Sequence, residues 1–175
     1  MTTFTISNDS TDFGTFEGET PAHALAAMHA AGVRGVRLNI EVAGCTVDTV
    51  RSRLWSLRWL RGMPDWCLQL HASLPLTLSL LDDLAGLGVP VVLDHYAGIH
   101  KQRPGNASAW VPVLDFLRGG PGHVKLSAPY RCHPAWDGTA LADLASALAA
   151  AGPGRILWGS DWPHTGGEAG RPRDP

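Results

Sequence analysis

Residues 159 to 165 read GSDWPHT and follow the apolar run RILW. Asp161 and His164 stand three residues apart there, just past a stretch that looks buried. A carboxylate in that position either caps the next turn or, with suitable neighbours, takes a proton from water as a general base. Similar endings recur upstream. Arg37 and Asn39 close VRGVRLNI, and His71 closes DWCLQLH. VPVVL runs into Asp94, His95 and Tyr96. HVKLS ends on Ser127, with Tyr130 and Arg131 close behind, and the last run brings Ser160, Asp161, Trp162 and His164.

These residue types suggest a division of labour. Asp161 is the candidate base. His95 and His71 are suited to polarising a carbonyl, relaying a proton or ligating a metal, and the three together are the candidate metal ligands. Arg37 and Arg131 hold carboxylates bidentately, which favours an anionic substrate; their alternative is ion pairing with Glu41, Asp48 or Asp137. Asn39, Ser127, Tyr130, His164 and Trp162 are candidate substrate contacts. His23 and His29 lie on an Ala-rich helical stretch and suit surface or packing roles, and His123 precedes its strand at the wrong end. His100 and His133 fall in loops that would rim a site. There is no G-x-S-x-G elbow, and Cys132 beside Arg131 and His133 is a weak nucleophile candidate.

Position is what such groups need, and the intervening sequence supplies the elements. PAHALAAMHAAG is helical and stops at Gly32. TVDTVRSRLWSLRWLRG places Val47, Val50, Leu54 and Leu57 at helical spacing. LPLTLSLLDDLAGLG, AWVPVLDFLRG and TALADLASALAAAG continue the series. Between them lie five strands, at about 33–40, 66–71, 89–94, 123–128 and 155–160. VPVVLDH has the continuous β-branched character of a strand covered on both faces. Alternation of this kind predicts parallel strands with right-handed crossovers, in a sheet that is open and doubly wound or part of a barrel. In such folds sites form beyond the carboxyl ends of the strands, where every polar group named above falls.

Composition narrows the classes. The 175 residues are 45% hydrophobic and 17% charged, which suits one globular domain. A net charge of -2 without basic runs argues against nucleic acid, and no apolar run reaches the ~18 residues of a membrane span. The three cysteines show neither zinc spacing nor a disulfide framework. The amino-terminal stretch lacks the basic and apolar regions of a secretion signal. A cytoplasmic location follows as an expectation. No nucleotide-binding glycine motif follows the first strand.

Taken together, GVRGVRLNI, LQLH, VPVVLDH, VKLSAPYR and ILWGSDWPHT resemble the amidohydrolase-related (amidohydrolase 2) family, in the branch containing 2-pyrone-4,6-dicarboxylate lactonase. The resemblance runs from about residue 21 to 165. It implies α/β architecture as a partial (β/α)8 TIM barrel: five parallel strands with alternating helices, corresponding to strands four to eight, the first three missing. An irregular segment 1–20 would precede the domain at 21–165, and a loose Gly/Pro-rich tail 166–175 would follow it.

The resemblance implies a hydrolase that drives water onto a lactone or related carboxylated substrate, with Asp161 as base. His95 then matches the histidine after strand six, Arg37 the strand-four carboxylate clamp, and His71 a strand-five position where many members place a metal ligand. Tyr130 and Arg131 fall in the strand-seven segment. The family's strand-one H-x-H pair is absent from this sequence. The expectation is therefore a site incomplete on this chain, with no cofactor required or a weakly held zinc or manganese ion. The chain is read as a fragment, a degenerate copy, or a piece that self-associates to cover open barrel edges. The rival readings are a metal-dependent decarboxylase of the same superfamily, and a non-catalytic remnant that binds a small anion or self-associates.

Overall fold

The computed structural model describes residues 22–41, 45–162 and 164. The segments 1–20 and 166–175, read above as an irregular leader and a loose tail, lie outside the described residues.

Five strands form one parallel sheet in the order β1-β2-β3-β4-β5. They are β1 Gly35–Asn39, β2 Cys67–His71, β3 Val91–Leu93, β4 Gly122–Leu126 and β5 Ile156–Trp158. All four pairings are parallel. Sequential order with a helix in every connection is the arrangement of a barrel segment; a doubly wound sheet would reverse its strand order. The helices are α1 Ala22–Ala30, α2 Val47–Ser56, α3 Leu74–Ala85, α4 Val111–Gly119 and α5 Gly138–Ala151.

Local chemistry sets the helix boundaries. Thr46 caps α2 by accepting from the Thr49 N–H, and Asp137 caps α5 by accepting from that of Ala140. Pro75 and Pro112 sit in the first turns of α3 and α4, where the missing N–H costs nothing. The expected single helix over 46–62 divides in two. After α2 the chain tightens into a 3-10 turn, Arg58–Gly62. That turn buries Leu60, and Trp59 packs edge-on against Trp66 at 5.9 Å. The stretch 99–108, read as a loop, is partly 3-10: one segment ends at Lys101 and another covers Ala107–Trp110.

The two faces of the sheet differ sharply. Register places Leu68 beside Val91 and Leu70 beside Leu93, and Val124 follows on the same face. These side chains are fully buried among Val50 and Leu54 of α2, Leu80 and Leu84 of α3, Val113 and Leu117 of α4, and Leu144 and Leu148 of α5. Burial of each such side chain stabilises the fold by about 1.5–3 kcal/mol. The opposite face carries Arg37, Gln69, Val92, His123 and Lys125, because side chains alternate along a strand. β3 is central, and all three of its residues are buried, as its β-branched run predicts.

Candidate active site

The polar face is organised by Asp94, the residue directly after β3. Its side chain is shut off from solvent, and each of its oxygens is claimed. Arg37 of β1 donates from Nε and Nη2 to Oδ2, both at 3.0 Å. Gln69 of β2 donates to Oδ1 at 2.6 Å, and the Lys125 ammonium of β4 lies 3.8 Å from the same oxygen. Lys125 reaches this point by lying across Gly159, where a Cβ would meet its Cε at 2.6 Å. One buried carboxylate, placed directly after β3, therefore ties together groups from β1, β2 and β4. Arg37 spends one edge of its guanidinium on Asp94 and keeps Nη1 without a partner among the described residues.

Beyond β3 the backbone turns abruptly. His95, Tyr96 and Ala97 have φ of 49, 54 and 55°, and Gly98 follows at 77°. Left-handed geometry costs about 1–2 kcal/mol at each non-glycine residue. Gly98 allows the turn to close, since a Cβ there would lie 2.6 Å from the Leu74 nitrogen. Ala128, Asp161 and His164 are also left-handed, so six of the seven such non-glycine residues described lie at the carboxyl ends of the strands; the seventh is Asp65. Strain of this sort concentrates at functional sites.

The turn swings the His95 ring onto its neighbours. Nδ1 lies 2.8 Å from Ser127 Oγ, and the ring meets His71 edge-on at 4.8 Å and 89°. His71 Nε2 is 2.8 Å from Glu41 Oε2, off the line of a regular ring N–H bond. Glu41 also accepts from Lys101 at 2.5 Å. These contacts, His71 first, hold its carboxyl down at about 2. His100 closes the stack, 6.4 Å from His95 and 5.5 Å from Tyr96. It is 0% exposed, and among the described residues neither ring nitrogen has a hydrogen-bond partner. Burial pushes its pKa down to about 3, and that of His95 to about 4. Both rings are neutral at pH 7.

Asp161 faces this stack from the end of β5. Its Oδ2 accepts from Tyr130 Oη at 2.5 Å and lies 3.6 Å from Arg131 Nη2. Arg131 Nε donates to Tyr130 Oη at 3.1 Å, and His164 packs edge-on to the Tyr130 ring at 5.3 Å. Burial and the bond to Asp161 raise the Tyr130 pKa, so the phenol keeps its proton. The other oxygen, Oδ1, lies 3.8 Å from His95 Nε2. That gap is too long for a direct hydrogen bond.

The fold thus brings together Asp161, His95, His71, Ser127, Tyr130, Arg131 and His164. Arg37 lies on the same face, with Asp94 as its partner in place of Glu41, Asp48 or Asp137. Asn39 is exposed, and its Oδ1 accepts from the Glu41 N–H at 3.4 Å. Trp162, next to Asp161, is 80% exposed. His100, expected at a rim, is buried beneath the site. His29 takes the packing role expected of it by accepting from Trp66 Nε1 at 3.0 Å.

Sequence reading missed Gln69, Lys125, Glu41 and Lys101 as members of the network. The period-2 alternation in VRLN, LQLH and VKLS carried the signal for the first two, because each strand puts a polar residue at every second position. The described residues do not fit a divalent ion. His71 Nε2 faces Glu41, His95 Nδ1 faces Ser127, and among the described residues no three His, Cys, Asp or Glu donors gather as a ligand set. No helix of the described residues is long and apolar enough to cross a membrane.

Comparison with known proteins gives a consistent picture. The amidohydrolase family profile matches residues 14–174. The 4-sulfomuconolactone hydrolase of Hydrogenophaga intermedia is 30% identical over 148 residues, 81% of this chain and 47% of that protein. The protein of the same name from Rhizobium radiobacter is 30% identical over 146 residues, again 81% of this chain and 48% of the relative. The chain spans about half the length of the curated relatives it matches. Among solved structures, a Pseudomonas putida protein described as a 2-pyrone-4,6-dicarboxylic acid hydrolase is similar with a TM-score of 0.65 and 29% identity. That match covers 85% of this chain and 55% of the other. An Acinetobacter baumannii structure of the same description, with citric acid bound, gives a TM-score of 0.64 and 26% identity, covering 89% of this chain and 58% of that one.

Proposed function

This chain belongs to the amidohydrolase family, and we propose that its strand-end cluster hydrolyses a lactone or a related carboxylated substrate, with Asp161 as general base. The observation that carries this reading is the asymmetric setting of Asp161. Tyr130 and Arg131 hold Oδ2, while Oδ1 faces His95 across a 3.8 Å gap. A carboxylate fixed by one oxygen and free at the other is suited to taking a proton from water.

In this scheme the water oxygen attacks the lactone carbonyl as its proton passes to Asp161 Oδ1. The carbonyl oxygen, gaining negative charge, accepts a hydrogen bond from His95, and His71 supports that ring edge-on. The ring C–O bond then breaks. The departing oxygen recovers the proton from Asp161, so that lactone and water become a hydroxy acid.

Anionic substrate groups have cations to meet. Arg37, Lys125 and Arg131 bring three positive charges to the face on which Asp94 and Asp161 bring two negative ones. An excess of positive charge in a partly enclosed site favours carboxylate or sulfonate ligands. Two relatives are named for a sulfomuconolactone and two similar structures for a pyrone dicarboxylic acid, which supports an anionic ring as the substrate class here. A cytoplasmic setting suits Cys45 and Cys67, which form no disulfide among the described residues.

The test is lactone hydrolysis by the chain and its Asp161→Asn variant on a carboxylated lactone, followed by acid release. Loss of a proton-transfer group lowers kcat by roughly 10²–10⁴-fold. Equal turnover by the two proteins would remove Asp161 from the role of base.

A further inference from the structure

We propose that His95 is fixed in the neutral tautomer with its proton on Nε2, the Asp161 carboxylate selecting that tautomer and Ser127 acting as the positioning residue that holds it by donating to Nδ1, so that the ring presents an N–H donor beside Asp161. The catalytic use of that donor rests on the hydrolase reading above; the tautomer itself does not.

The His95–Ser127 contact alone leaves the proton's position open. A hydroxyl 2.8 Å from Nδ1 can donate to the ring or accept from it. The far nitrogen decides. Nε2 lies 3.8 Å from Asp161 Oδ1, and an ionised carboxylate only accepts. With the proton on Nδ1, the Nε2 lone pair would face that oxygen, acceptor against acceptor, in a site where both Ser127 and His95 are buried. With the proton on Nε2, the N–H faces the carboxylate and Nδ1 accepts from the Ser127 hydroxyl. Both contacts are then attractive. The carboxylate of Asp161 thus selects the tautomer, and the Ser127 hydroxyl, by donating to Nδ1, holds the ring in it.

Three further observations support the assignment. The rings of His71 and His100 both meet His95 edge-on, and among the described residues neither gives Nδ1 a competing partner. Ser127 is held in place, since Ala128 turns left-handed directly after it and accepts from the Arg131 N–H at 3.0 Å. Burial also disfavours the doubly protonated ring. The 3.8 Å gap means the N–H is not consumed by a direct bond to Asp161. It stays available to an oxygen that arrives between them.

The experiment is long-range proton–nitrogen correlation NMR on the full chain with 15N-histidine at pH 7.5, with His95 assigned by the His95→Gln variant. The expected pattern has a protonated Nε2 and an unprotonated Nδ1. Ser127→Thr keeps it, whereas Ser127→Ala, which removes the donor to Nδ1, yields a mixture of the two neutral tautomers. A proton on Nδ1 of the wild-type ring, or a doubly protonated ring, overturns the proposal. So does a Ser127→Ala pattern identical to wild type. If Ser127→Ala does not fold, the wild-type and Ser127→Thr spectra still decide. On a lactone substrate, Ser127→Ala lowers kcat about tenfold with little change in KM, and Ser127→Thr restores it. Absence of lactone turnover in wild type, with the expected tautomer present, would defeat the hydrolase reading and leave this one standing.

Discussion

Asp94 gives the sharpest test of how the polar face is held. Asp94→Leu keeps the side-chain size and removes the acceptor to which Arg37 and Gln69 donate and on which Lys125 leans. Arg37 then keeps a guanidinium whose side chain is 23% exposed, with no counter-charge at its buried edge. Removing one partner of a buried ion pair costs about 3–5 kcal/mol, because the other charge is left desolvated and unpaired. Three charge-assisted or buried bonds at about 1.5 kcal/mol each lead to the same range. For a urea slope of about 2 kcal/mol per M, the unfolding midpoint falls by about 1.5–2.5 M. The assay is urea titration of the full chain followed by far-UV circular dichroism. The double variant Arg37→Met/Asp94→Leu removes both charges and should regain much of the loss, since an apolar pair of similar volume is often neutral in such a place. A midpoint shift below about 0.5 M for Asp94→Leu, or a double variant no more stable than the single one, would refute the assignment of Asp94 as the organising charge.

Tyr130→Phe removes the hydroxyl that fixes Asp161, and kcat on a carboxylated lactone should fall about tenfold in steady-state assays, less than for Asp161→Asn. Stability should fall as pH drops below about 6.5. His95 and His100 titrate near 4 and 3 in the native chain, so the unfolded chain binds protons that the native chain excludes, and stability is complete only above 6.5. Urea midpoints between pH 7.5 and 4.5 should give a slope of up to about 2.7 kcal/mol per pH unit, roughly halved in His100→Phe. Glu41 has the depressed value of a carboxylate, so its contribution is lost only between about 4.5 and 2, as pH falls through the native pKa. Leu80→Ala, in the core between α3 and the sheet, should cost about 2–5 kcal/mol by the same urea assay while leaving the pH slope intact.

Much of the scaffold was legible because helix and strand periods differ. Four of the five strands lie within the range read from their apolar runs, β4 begins one residue early at Gly122, and no strand end is shifted by more than two residues. The polar strand ends were legible for the same reason, since a parallel sheet collects them at one edge. Other features left no local trace. Nothing in Tyr96 or Ala97 announces a left-handed backbone; that geometry is imposed where Gly98 packs against Ala72, Ser73 and Leu74. The partner of Arg37 depends on register, because Asp94 lies 57 positions away along the chain. His100 follows a turn whose direction decides between rim and interior, and its sequence, IHKQ, reads equally well as either.

The indole of Trp162, next in sequence to Asp161 and 80% exposed, has a consequence for observing the site. It sits in water at rest, so it emits at long wavelength, whereas Trp66, buried and bonded to His29, gives a blue-shifted and steady background. A solute that settles against Asp161 and covers its neighbour changes the first signal and leaves the second alone. Occupancy of the strand ends therefore has an intrinsic optical readout that requires no turnover. Trp162→Phe subtracts its contribution from those of Trp55 and Trp158, the other exposed indoles of the described chain.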